Sequence, residues 1–80
     1  MKKLGKRNTY YQDSIREVLV RQGYIGRYNP RHIEAYMRLE YQTLSGLSKA
    51  QFNKEVTICI ECIQSEGVKN AEALAKSFGL

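Results

Sequence analysis

The chain has no tryptophan, one proline, two cysteines and no apolar run longer than three residues. Each scarcity closes off a class of protein. Runs such as Val18-Leu19-Val20 and Ile58-Cys59-Ile60 fall far short of the ~20 residues that span a bilayer. Two cysteines are too few for a disulfide scaffold and fit a reducing compartment. The first residues carry the charge of a secretion signal, but no apolar segment follows them, so a cytoplasmic protein is expected. No G-x-S-x-G, H-E-x-x-H or phosphate-loop pattern occurs, which argues against an enzyme.

No linker or low-complexity stretch divides the 80 residues, and a chain this short supports a single core. Residues 1–8 read as a flexible basic arm and residues 9–80 as one helical domain. Hydrophobic residues at 42% and charged residues at 26% are ordinary globular values, so a folded domain is expected.

Capping signals then set out an all-α bundle of about four short helices. Thr9 to Gln12 has the spacing of a capping box, and Tyr11, Ile15, Val18, Leu19 and Gln22 recur on one face until Gly23. Asn29-Pro30 restarts the chain as cap and first helical residue, with Ile33, Met37, Tyr41 and Leu44 inward and Ser45-Gly46 closing. Ser48 to Gln51 is a second capping box. Phe52, Val56, Cys59, Ile60 and Ile63 follow it on one face, widened to roughly 200° by Ile58 and Cys62. So wide an arc marks this third helix as the central one. Val56, Ile58, Ile60 and Cys62 also alternate as in a strand, but length and capping favour a helix. After Gly67, Asn70 is the candidate cap of a last helix bearing Ala71, Leu74, Ala75 and Phe78. The expected spans are 10–22, 30–43, 49–65 and 70–78.

Four local patterns could carry chemistry. Cys59 and Cys62 match C-x-x-C, yet a zinc site wants four ligands and His32 is the only other soft donor. A reactive pair would also sit at a helix N-terminus, so buried structural thiols are the better reading. His32 could act as a base beside Glu34, but no nucleophile accompanies it. Gly23 to Gly26 spells the G-x-x-G of some RNA-binding modules without their sheet. Residues 71–80 look like the start of a helix-turn-helix, but no recognition helix follows them. No cofactor, metal or small-molecule substrate is expected.

Charge gives the functional lead. Residues 1–38 hold nine Lys/Arg against three acids, and residues 39–80 four against five. All six arginines and five of the six tyrosines fall in that first part. The leading expectation is a non-enzymatic accessory or regulatory protein that binds DNA or RNA through this half. Lys2, Lys3, Lys6 and Arg7 would supply the attraction. Arg31, Arg38 and Gln42, an outer stripe of the second helix with Ala35 between them, would make oriented contacts. The alternative for that stripe is a solvated face with a Glu34–Arg38 pair. The alternative function is a helical adaptor that binds a protein partner or forms a homodimer, with no nucleic-acid role.

His32 to Tyr41, Leu47 to Phe52 and Ala75 to Leu80 resemble segments of small helical proteins from bacterial plasmids and phages. The resemblance covers about residues 29–80. It implies a bacterial mobile-element origin and brings no site residues with it.

Overall fold

The computed structural model describes residues 10–24 and 26–80. Four helices form: α1 (Tyr10–Arg21), α2 (Pro30–Glu40), α3 (Lys49–Glu66) and α4 (Val68–Ser77). No strand occurs among the described residues. The all-α bundle therefore stands, and residues 55–63 lie wholly within α3. Thr9, the expected first cap, lies outside the described residues.

Local chemistry sets most helix ends. Asn29 Oδ1 accepts the Arg31 backbone N–H at 2.9 Å, and Pro30 takes the first helical position. Ser48 Oγ accepts from the Gln51 N–H at 3.1 Å. The Gln51 side chain does not close the box; its amide donates to Glu55 Oε2 at 2.8 Å. At the end of α1, the Tyr24 N–H reaches the Leu19 carbonyl and the Gly23 N–H reaches Val20, with Gly23 at φ +82°. That is a Schellman stop, and Gly79 repeats it after α4.

Two boundaries differ from expectation. α2 stops at Glu40, because Tyr41 adopts an extended conformation, and Leu44 enters the core from the following loop. α4 begins at Val68, one residue after α3 ends, with Gly67 at the hinge and no side-chain cap. Asn70 is thus inside the helix. Its amide donates to Glu66 Oε1 at 2.7 Å and to the Tyr36 hydroxyl at 3.0 Å.

Both α2 and α3 pack against each of the other three helices, but α2 does so more extensively, above all against α4, and it, not α3, is the central helix; His32 through Met37 are buried without interruption. Two features conceal this in the sequence. Ala35 on α2 and Ala71 and Ala75 on α4 are all fully buried. Side chains this small let helix axes approach, but they add little to an apolar stripe. His32 and Glu34 are buried because they are paired, which hydrophobicity patterns do not register. The arc of α3 is conversely wider than the core needs. Val56, Cys59, Ile60 and Ile63 are buried, while Ile58 stays 40% exposed and Cys62 only half-buried.

Among the described residues, no helix is long and apolar enough to cross a membrane.

Candidate functional site

The expected stripe on α2 is not an outer surface. Ala35 has no exposed area, so the residues around it frame a packed interface. Arg38 donates through Nε and Nη2 to Glu34 Oε2, at 3.1 and 3.0 Å, and its guanidinium lies 5.7 Å from the centre of the Tyr11 ring. Gln12 Nε2 donates to the other Glu34 oxygen at 3.1 Å. The Glu34–Arg38 pair foreseen as the alternative is present, and it ties α1 to α2. Gln42 is exposed. Lys2, Lys3, Lys6 and Arg7 lie outside the described residues.

Arg31 turns toward α4. It donates Nη1 to Glu72 Oε1 at 3.3 Å, and Nη2 both to Glu72 Oε2 at 3.2 Å and to the Leu80 carbonyl at 2.8 Å. His32 Nε2 sits 2.7 Å from Glu72 Oε1, so the partner of His32 is Glu72 and not Glu34. The His32 hydrogen bond, followed by those from Arg31, holds the Glu72 carboxyl down at about 2 from an ordinary 4.5. Arg31 and Arg38, the two arginines expected to make oriented contacts, are both engaged with carboxylates of the fold.

The carboxylates divide into two groups. Asp13, Glu17, Glu34 and Glu72 each pair with an arginine: Arg16, Arg21, Arg38 and Arg31 respectively. Glu40, Glu55, Glu61 and Glu66 make no ion pair with any described base. Three of them line one cleft of about 370 Å³ between α2, α3 and α4, and Glu61 immediately precedes its lining residue Cys62. No lysine or arginine lines it. Its apolar surface comes from Leu39, Ile58, Cys59, Cys62 and Leu74. Leu39 is 60% exposed and Ile58 40%, so the apolar surface continues past the cleft onto the rim.

Hydrogen bonds hold two of these acids in place. The Tyr36 hydroxyl donates to Glu66 Oε1 at 2.7 Å, and the Tyr41 hydroxyl to Glu55 Oε2 at 3.1 Å. Burial, then these carboxylates, raise both phenol pKa values. The thiols respond to the same surroundings. Burial pushes Cys59 up to about 12, helped by Cys62, Glu55 and Glu40. Cys62 is raised by burial and then by Glu66, Glu61 and Glu40. Both thiols are free and stay protonated near neutrality, which suits neither thiolate ligation nor nucleophilic attack. Among the described residues, no three of His, Cys, Asp and Glu are placed to share a metal ion.

A second cleft of about 360 Å³, between α1, the α2–α3 loop and α3, shows that size is not what sets the first apart. It carries both signs of charge, with Glu17 and Arg21 paired across one turn and Lys49 on the far side.

The acidic groove was missed from sequence, although a signal for it exists. α3 has Lys49 in its first turn and Glu66 in its last, the reverse of what a helix dipole favours. Ile58 and Cys62 lie between Glu55, Glu61 and Glu66 with no base among them. No protein-family model, curated protein or solved structure matches the chain.

Proposed function

We propose that this chain is a small, non-enzymatic helical adaptor that docks a protein partner on the groove between α2, α3 and α4. The observation that carries the reading is the exposed apolar strip from Leu39 to Ile58, bordered by carboxylates that make no ion pair with any described base. Protonated thiols and a histidine tied to Glu72 support a role without chemistry. The free thiols fit action in the cytoplasm, and the resemblance to plasmid and phage proteins fits a bacterial accessory role. The test is affinity capture with the intact chain and with Ile58→Ser. A partner enriched by the first and lost with the second supports the reading; identical captures refute it.

The second reading is nucleic-acid binding, favoured by where the net charge lies. Lys2, Lys3, Lys6 and Arg7 account for four of the five net positive charges, while the described residues hold nine bases against eight acids. With Arg31 and Arg38 engaged internally, contact through Lys2, Lys3, Lys6 and Arg7 alone would neutralise about four phosphates and give a log–log salt slope near −3 to −4 on duplex DNA. Fluorescence anisotropy at low salt tests it, and no binding at tens of micromolar rejects it.

A further inference from the structure

The groove is long and shallow. Its α3 wall runs from Glu55 to Glu66, eleven residues at 1.5 Å each, or roughly 16 Å. That length receives about three helical turns, enough for anchors at i, i+4 and i+7. The apolar floor lies between two acidic walls. Glu40 stands on the α2 side; on α3, Glu66 and the buried Glu55 line the groove, and Glu61 adjoins it beside Cys62. Glu40 and Glu61 are exposed; Glu40 raises the pKa of both thiols and Glu61 that of Cys62. With carboxylates on α2 and α3 and no lysine or arginine in its lining, the groove is negative. It repels phosphate, so a nucleic acid or an anionic membrane is the wrong occupant for this face.

We infer that the groove receives an amphipathic helix of a partner protein, with an apolar stripe flanked on both sides by Lys and Arg. The inference rests on the protein-docking reading and adds the chemistry of the partner. The stripe covers Leu39, Ile58 and Leu74, and the flanking cations meet Glu40 and Glu61, which no described base pairs with. Paired charges at a rim contribute mainly partner choice and association rate, and the apolar stripe holds the complex together.

The probe is a fluorescein-labelled 15-residue peptide with Leu at i, i+4, i+7 and i+11 and Lys, Arg and Ala elsewhere. Its control replaces every Lys and Arg with Glu. Anisotropy with the full chain should show the basic peptide binding at least about tenfold more tightly than the acidic one at low salt, with the difference shrinking as salt screens it. The exposed double substitution Glu40→Lys/Glu61→Lys should remove that preference, with the helical circular dichroism unchanged. Ile58→Ser should weaken binding of the basic peptide. Equal affinity for both peptides overturns the basic-partner inference while leaving protein docking standing. If neither peptide binds in a manner sensitive to Ile58→Ser, both readings fall. A dimer of the intact chain, seen by sedimentation and dissociated by Ile58→Ser, would assign the groove to a second copy and overturn the inference.

Discussion

The two sides of α2 handle negative charge in opposite ways. Toward α1 and α4, Glu34 and Glu72 are each gripped by an arginine: Arg38 holds Glu34 from one turn along α2, with Gln12 of α1 on its other oxygen, and Arg31 of α2 holds Glu72 of α4. Toward α3, Glu40, Glu55 and Glu66 line a cleft with exposed apolar groups, Glu61 adjoins it, and none of the four makes an ion pair with a described base. The first arrangement serves the fold. In the second, Glu55 and Glu66 are held by hydrogen bonds, while the exposed Glu40 and Glu61 are the carboxylates offered to a partner outside the chain. The contrast also shows how a net-basic protein can present an acidic groove: four of its five net positive charges lie at Lys2, Lys3, Lys6 and Arg7, and the described residues hold nine bases against eight acids.

The largest change should come from disturbing the packed side. Ala35→Leu drives a branched side chain into the α2–α4 contact and should cost about 1–3 kcal/mol or more, read as a lower denaturation midpoint. Arg38→Ala strips the cation from Glu34, which is only 3% exposed and keeps Gln12 as its remaining side-chain donor. About 1–3 kcal/mol is expected, since a buried acceptor loses a charged partner. The substitution therefore lowers stability whether or not the chain binds nucleic acid. An unchanged midpoint in urea would break the proposed division between the two sides.

Acid should separate them next. Because the Glu72 carboxyl is held down at about 2, its contribution is fully present above its ordinary 4.5 and is lost as pH falls from there toward 2. Glu72→Gln should flatten that part of the stability–pH curve, whereas Glu40→Gln should leave it in place. The thiols give a smaller effect. Alkylation at pH 7.5 should label Cys62 before Cys59, because Cys59 is both buried and pushed up to about 12. Cys59→Ala should cost roughly 1–3 kcal/mol through lost packing.

The smallest stability effect belongs to the groove. Glu61 is exposed and has no charged residue three or four positions away on α3, so Glu61→Lys should leave stability within about 0.5 kcal/mol while weakening docking. Binding that falls while stability holds would be the signature of charge retained for a partner.

The parts of this structure legible in sequence are those set by local chemistry. Asn29-Pro30, Ser48, Gly23 and Gly79 announce caps and stops within a few residues of where they act. The end of α2 was not legible, because Tyr41 leaves the helix without a glycine or proline to mark it. The choice of central helix failed for a related reason: Ala35, His32 and Glu34 are buried by small size or by pairing, not by hydrophobicity. Arg31 and Glu72 are 41 residues apart, so sequence shows two charged residues and not one contact. The groove falls between these cases. Its α3 wall is readable as an apolar stripe set among acids, but Leu39 and Leu74 join it only once α2 and α4 pack.

The most direct measurement is a backbone amide chemical-shift map of the chain titrated with the basic peptide. Docking in the groove should move the amides around Leu39, Glu40, Ile58, Cys62 and Leu74 in proportion to occupancy and leave those of Asp13 to Val20 in place. Shifts confined to the cleft between α1 and α3, or spread evenly over the exposed carboxylates, would contradict the account.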